Sequence, residues 1–268
     1  MAKCDIAQEL VCMIIDNLKD DVWTLRSCSV VCWSWVPTCQ RHLFHCVRLL
    51  PPCKHDCWCP TDVPYSKRLY NVFLDSPHIM DYIQVLYIYE GQDTRKQDWI
   101  ETLPLLLRKL TKLESLKFRR LHWETLGADL KKSLCAVLEL PTLTYLEISD
   151  AWFVDLEDLK AWLHHAKFLT GLSLSSPYIL KSYREDQGGA EEGLNSVQQR
   201  DLIELHLQLS NDQPFLNWLQ GPRSPFSVSR VQILHIRAPR NDSTEVNLLL
   251  RTIGNSLKQC KLESPGRE

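Results

Sequence analysis

One apolar pattern recurs along the chain from residue 83 onward. It has the form apolar-x-x-apolar-x-apolar, and its first positions lie 26 to 33 residues apart, 29 on average. Apolar residues at alternate positions are typical of a strand with one buried face. The seven copies, of which the last is the weakest, begin at Ile83, Leu113, Leu143, Leu169, Leu202, Val231 and Leu257.

The segments between these copies have helical periodicity, which predicts helices at 97–111, 124–139, 155–166 and 243–256. A strand and a helix every 29 residues lies at the upper end of leucine-rich-repeat periods. Units of this kind stack their strands side by side in parallel. Because the asparagine usual after the last apolar anchor is absent from every copy, the predicted fold is an irregular leucine-rich-repeat solenoid of the α/β class.

Residues 4–46 follow a different pattern, that of a small helical bundle. A first helix is indicated by Leu10, Ile14 and Leu18, and Asp20 or Asp21 offers the N-cap of a second. The stripe of the second helix is Leu25, Cys28, Cys32 and Trp35, and Pro37 suits the first turn of a third helix that runs to about Phe44. About 40 residues rarely fold well alone, so the bundle needs a neighbour or a partner.

Composition sets the expected boundaries. Residues 50–64 are rich in proline and cysteine, which predicts a linker over 47–68 between the bundle and a repeat domain at 69–268. Residues 181–201 are polar with few large apolar side chains, which predicts a flexible surface loop within the repeats.

Charge and composition exclude several classes of protein. The net charge of −2 means that the chain has no overall excess of positive charge, which binding to nucleic acid or to an acidic membrane would favour. Asp5 and Glu9 stand where a secretory signal would be uncharged, and no apolar stretch approaches the ~20 residues of a membrane span. We therefore expect a cytoplasmic or nuclear protein.

The eleven cysteines, nine of them within the first 59 residues, are best interpreted as reduced thiols. Cys46, Cys53, Cys57 and Cys59, with His45 and His55, offer zinc ligands, but Cys57-x-Cys59 is tighter than the usual knuckle and no second pair follows. We expect no metal and no cofactor. Because no nucleotide-binding, nucleophile-elbow or metalloprotease motif occurs, we expect no enzyme activity.

The N-terminal block resembles an F-box. The resemblance covers about residues 6–44 and rests on Ile6 to Ile14, which contains Glu9-Leu10, and on the later block Val31-Cys32 to Trp35. Two positions depart from the family pattern, because Ala7 replaces the usual proline and Trp33 replaces a basic residue. The segment 69–82 resembles the stretch that follows the F-box in short proteins of mushroom-forming fungi.

This resemblance implies a substrate-receptor subunit of an SCF-type ubiquitin ligase. Its three-helix F-box would dock a Skp-family adaptor, and through it a cullin, while the repeats hold a protein substrate. Ligation then works by proximity and needs no catalytic residue in this chain. The implied adaptor contacts are Ile6, Leu10, Ile14, Leu25, Val31, Cys32 and Trp35, each of which could instead pack the core of the bundle.

Side chains that alternate with the apolar anchors point to the opposite face of the predicted sheet. Repeat arrays often bind partners on this face, although a solvated sheet face is the simpler interpretation. The candidate substrate contacts are Tyr87, Tyr89, Lys117, Arg119, Tyr145, Glu147, Glu204, His206, His235 and Arg237. A binding scaffold with no role in ubiquitination stays open as the alternative function.

Overall fold

The computed structural model describes residues 7–49, 65–89, 98–175, 177–179, 199–208, 213–237 and 244–263. Its N-terminal part contains the helices α1 (Gln8–Asp16), α2 (Val22–Cys28) and α3 (Val36–His45), with a 3-10 turn at Trp33–Trp35.

Two predicted helix starts in this bundle are confirmed. Asp21 caps α2, because its carboxylate accepts a hydrogen bond from the Thr24 backbone N at 3.0 Å. Pro37 lies in the first turn of α3. The single second helix expected from Leu25 to Trp35 is wrong, because α2 ends at Cys28. The β-branched pair Val30-Val31 has low helix propensity and lies in the turn that follows.

The remaining chain alternates strands with helices, which confirms the predicted α/β class. The strands are β1 (Cys46–Leu49), β2 (Val85–Tyr89), β3 (Ser115–Arg119), β4 (Tyr145–Ser149), β5 (Trp152–Phe153), β6 (Gly171–Ser175), β7 (Tyr178–Ile179), β8 (Arg200–Asp201), β9 (Glu204–Gln208), β10 (Phe226–Ser227), β11 (Ile233–Arg237) and β12 (Gln259–Glu263). The helices are α4 (Tyr65–Asp75), α5 (Asp98–Leu107), α6 (Ala128–Leu138), α7 (Leu156–His164), α8 (Gln213–Gln220) and α9 (Thr244–Ile253). Further 3-10 turns occupy Pro77–Tyr82 and Trp123–Thr125.

Eight strands form one parallel sheet in the order β1-β2-β3-β4-β6-β9-β11-β12. Each strand therefore pairs with the strand that precedes it among these eight in the chain, and all seven pairings are parallel. Two short parallel pairs, β5 with β7 and β8 with β10, lie outside this sheet. The prediction of stacked parallel strands is thus confirmed.

Register places the apolar anchors of neighbouring strands side by side. Leu116 pairs with Leu146, and Phe118 pairs with Ile148. In the first six copies of the pattern all three anchors are at most 2% exposed. The seventh copy differs, because β12 is an edge strand on which Cys260 is exposed and Leu262 is 59% exposed.

The helices α5, α6, α7 and α9 lie within the four helical ranges predicted from periodicity. Their apolar sides pack on the sheet, and Leu106, Leu134, Leu159 and Leu249 are at most 1% exposed. Four aromatic rings contact one another within this core; they are Phe118, Trp123, Phe153 and Trp162.

The predicted linker boundaries, 47 and 68, are both wrong. Val47 to Leu49 belong to β1, and α4 begins at Tyr65; residues 50–64 lie outside the described residues. Most of the predicted loop 181–201 also lies outside them, although Arg200–Asp201 form β8.

The bundle is joined to the sheet without a spacer. α3 ends at His45 and β1 begins at Cys46. The Gln84 backbone N donates to the His45 carbonyl at 3.1 Å, and His78 Nε2 lies 3.1 Å from Gln40 Oε1. The bundle keeps a small core of its own, formed by Val11, Ile15, Leu25 and Cys39.

Among the helices of the described ranges, none has the length and apolar content that a membrane span requires.

Candidate binding surfaces

α1 buries one side and exposes the other. Val11 and Ile15 are at most 1% exposed, whereas Leu10, Met13 and Ile14 are about half exposed, at 53%, 61% and 49%. The helix is therefore apolar on a side that its own bundle does not cover.

The exposed apolar side chains continue beyond α1. Val22 and Trp23 at the start of α2, and Val30, Val31 and Trp33 in the turn before α3, are 46% to 84% exposed. With Leu10, Met13 and Ile14 they form a set of eight that we call the helical patch. Eight of the fifteen exposed large apolar side chains in the described ranges belong to this patch. Such a concentration in a small bundle makes these residues a candidate interaction surface.

Polar contacts hold the patch-bearing segments together. Gln8 Nε2 donates to the Ser34 carbonyl at 3.0 Å, which fixes the start of α1 beside the Trp33–Trp35 turn. Asp16 lies 2.7 Å from Arg41 Nη2 and 2.6 Å from His42 Nε2 on α3. These contacts, of which the His42 hydrogen bond is the largest, lower the pKa of Asp16.

The predicted adaptor contacts divide between this surface and the core. Leu10, Ile14 and Val31 are exposed, and Cys32 is half-buried. Leu25 is fully buried in the core of the bundle, which is the alternative left open for it. Trp35 packs against the small core, and Ile6 lies outside the described residues.

Sequence reasoning missed five members of the patch. Met13, Val22 and Trp23 were not named as candidate contacts, and Trp33 was treated as a departure from the family pattern. Val30 lies in a segment taken to be helical. The usable signal was the density of large apolar residues between residues 10 and 33, which exceeds what a bundle of this size can bury.

The second surface is the sheet face opposite the core, which we call the strand face. All ten predicted substrate contacts lie on it. Arg119 and Arg237 are exposed and the other eight are half-buried. Parallel register aligns one row of side chains across β1 to β12, namely Arg48, Tyr87, Lys117, Glu147, Ser173, His206, His235 and Lys261.

The middle of the strand face is shaped by small residues on β6. Tyr145 lies beside Gly171 in the register, and a Cβ at residue 171 would lie 2.5 Å from Tyr145 Cδ2. The Tyr145 ring therefore needs the space that this glycine leaves. Burial, with the nearby Glu147 and Glu204 carboxylates, raises the pKa of Tyr145 to about 12.

Ion pairs cross the face between strands. Lys117 Nζ lies 2.9 Å from Glu147 Oε2 and 5.3 Å from the centre of the Tyr145 ring. Arg119 Nε lies 3.6 Å from Asp150 Oδ2. Pairs of this kind are partly exposed, so they orient side chains more than they stabilise the fold.

A histidine pair lies between β9 and β11. The rings of His206 and His235 meet edge to face, with centroids 5.3 Å apart. His206 Nε2 is 3.0 Å from Glu204 Oε1, but the contact is not aligned as a hydrogen bond. Burial is the largest effect on His206 and lowers its pKa, although Glu204 acts in the opposite direction.

Within the described ranges, no three histidine, cysteine or acidic side chains are grouped closely enough to hold a metal ion. Cys53, His55, Cys57 and Cys59 lie outside those ranges.

The fold and its two surfaces define an α/β protein with an eight-stranded parallel sheet and an exposed apolar patch on its N-terminal helices. No protein-family model matches the sequence, and no curated protein matches it.

We predict that Gly171→Ala destabilises the protein by about 1–3 kcal/mol, because the new methyl group must displace the Tyr145 ring. Gly127→Ala is the matched control, since a Cβ there meets nothing within 4 Å. Denaturant unfolding measures both. In the background Tyr145→Ala, the Gly171→Ala penalty should largely vanish; an unchanged penalty would contradict the steric account.

We also predict that the free energy of unfolding falls as pH decreases below about 6.5, the ordinary histidine value. The lowered pKa of His206 means that the unfolded state takes up this proton at higher pH than the folded state. His206→Gln should reduce this slope. His122 and His164 also have lowered pKa values, so part of the slope should remain. Equal slopes in both proteins would show that His206 does not contribute.

Proposed function

We propose that this protein is a substrate receptor of an SCF-type ubiquitin ligase, with the helical patch docking a Skp-family adaptor and the strand face holding a protein client. The observation that carries the proposal is the patch itself: eight large apolar side chains exposed on a bundle of three short helices. The F-box resemblance of residues 6–44 supplies the kind of partner. Trp and other large apolar side chains are typical anchors of such interfaces.

The junction between α3 and β1 also supports a receptor role. Proximity catalysis works best when the client is held at a defined position relative to the ligase. A helix that runs directly into the first strand would transmit the position of the adaptor to the strand face. Clients bound there would be presented in a fixed orientation.

A binding scaffold without ubiquitin machinery is the second candidate. It is favoured by Trp33, which is 84% exposed where the family usually has a basic residue. The same apolar patch would then dock a different protein, while the strand face keeps its client.

Co-expression with a fungal Skp-family adaptor tests the proposal. Deleting residues 1–50 would remove β1 from the sheet, so point substitutions are the sharper experiment. The double variant Met13→Ser, Trp33→Ser should weaken adaptor binding by at least about tenfold, because exposed anchors are lost without touching the bundle core. Titration calorimetry or surface plasmon resonance measures the loss.

The matched control is Phe168→Ser, which removes an apolar side chain that is 47% exposed outside the bundle. It should bind the adaptor as the unmodified chain does. If the unmodified chain does not bind the adaptor, the ligase role fails and the scaffold function is favoured. Circular dichroism of the double variant checks that the helices are intact.

A further inference from the structure

Cationic side chains gather at the β1–β3 end of the strand face. They alternate with two tyrosines on the middle strand, β2. We call this set the basic cluster; its members are Arg48, Tyr87, Tyr89, Lys117, Arg119 and Arg120.

Only part of this positive charge is balanced. Lys117 is paired with Glu147 at 2.9 Å, and Arg119 lies 3.6 Å from Asp150. Arg48 is exposed, and neither it nor Arg120 has a carboxylate within 4.0 Å among the residues that the structure describes. Among the residues that the structure describes, four cations against two carboxylates leave a net charge of +2 on this part of the face.

The tyrosines add hydrogen-bond donors to the charge. Arg120 Nη1 donates to the Tyr89 hydroxyl at 2.9 Å, and Arg119 is hydrogen-bonded to Tyr87. Because a guanidinium can only donate, each phenol oxygen acts as the acceptor and keeps its own proton. Both hydroxyl groups can therefore donate to an anion that approaches the face.

The other half of the strand face has no such surplus. On β9 to β12, Glu204 and Glu263 are balanced by Arg237 and Lys261, and Lys261 Nζ lies 2.5 Å from Glu263 Oε1. Within the described ranges, the excess positive charge is thus confined to the end of the sheet that adjoins the helical bundle.

The spacing of the two unbalanced cations selects the shape of the anion. Arg48 and Arg120 are carried by chain segments on either side of β2, and Arg120 lies three residues further along the strand direction. At the usual strand spacing and rise, their backbone positions are about 14 Å apart. Two carboxylates about four residues apart on an extended segment match this distance.

We propose that the basic cluster binds an acidic segment of the client protein, in extended conformation, with two carboxylates about four residues apart. The inference rests on the client-binding role proposed for the strand face and names the chemistry that the face recognises. Arginine forks bind the two carboxylates, and the tyrosine hydroxyl groups donate to the oxygens between them.

Fluorescence anisotropy with the full chain and a fluorescein-labelled peptide tests this. The probe contains two glutamates separated by three serine or glycine residues, in low salt. Matched peptides carry glutamine or lysine at both positions, and a fourth carries glutamine at both positions with one central phosphoserine. The glutamate peptide should bind, and added salt should weaken this binding. The glutamine and lysine peptides should not bind.

Arg48→Gln and Arg120→Gln should each lower the affinity for the glutamate peptide by roughly tenfold. This is the usual effect of losing one charge-assisted hydrogen bond. Arg223→Gln is the control, because it removes an exposed arginine from the turn before β10, outside the strand face. Thermal melting checks that all three variants fold.

Three results would overturn the inference: equal binding of the glutamine peptide, equal weakening by Arg223→Gln, or tighter binding of the phosphoserine peptide. The experiment contains no adaptor, so its failure is distinguishable from failure of the ligase role. Acidic-peptide binding without adaptor binding would support this inference and favour the scaffold function.

Discussion

The structure depends on burial of apolar side chains between strands held in parallel register. Each copy of the pattern places its anchors beside those of the copy before it, so that Leu86, Leu116, Leu146, Leu172, Leu205 and Leu234 form one continuous buried row. A shift of one residue in any pairing would move a whole set of anchors to solvent. Burial therefore sets the register, and the register sets every other feature of the sheet.

The strand face is a direct consequence of this constraint. Because alternate side chains point to opposite faces, the residues between the anchors are aligned in rows that no single strand could build. The ion pair of Lys117 with Glu147 and the edge-to-face rings of His206 and His235 each join neighbouring strands of the sheet. The helical patch has a different origin: its bundle is too small to bury all of its large apolar residues, and part of them remains exposed.

Much of the fold could be predicted from periodicity, since the strands β2 to β12 of the main sheet and four helices follow repeated patterns. β1 could not be, because Val47 and Leu49 offer only two apolar positions next to a proline-rich segment. The end of α2 at Cys28 was also missed, since an apolar stripe does not reveal a turn at Val30-Val31. For the strand face, alternation gave the correct residues but not their contacts. Arg48 and Arg120 were missed because their position on the strand face follows from their contacts with the neighbouring strand β2. Only the strand register shows these contacts.

We propose that the helical patch, and not the strand face, contacts a Skp-family adaptor. Hydrogen–deuterium exchange of the full chain, with and without a fungal Skp-family adaptor, tests it most directly. We expect slower amide exchange confined to α1, α2 and the Trp33–Trp35 turn, with β2 to β12 unchanged. Unchanged exchange throughout the bundle, or protection on the strands instead, would contradict it.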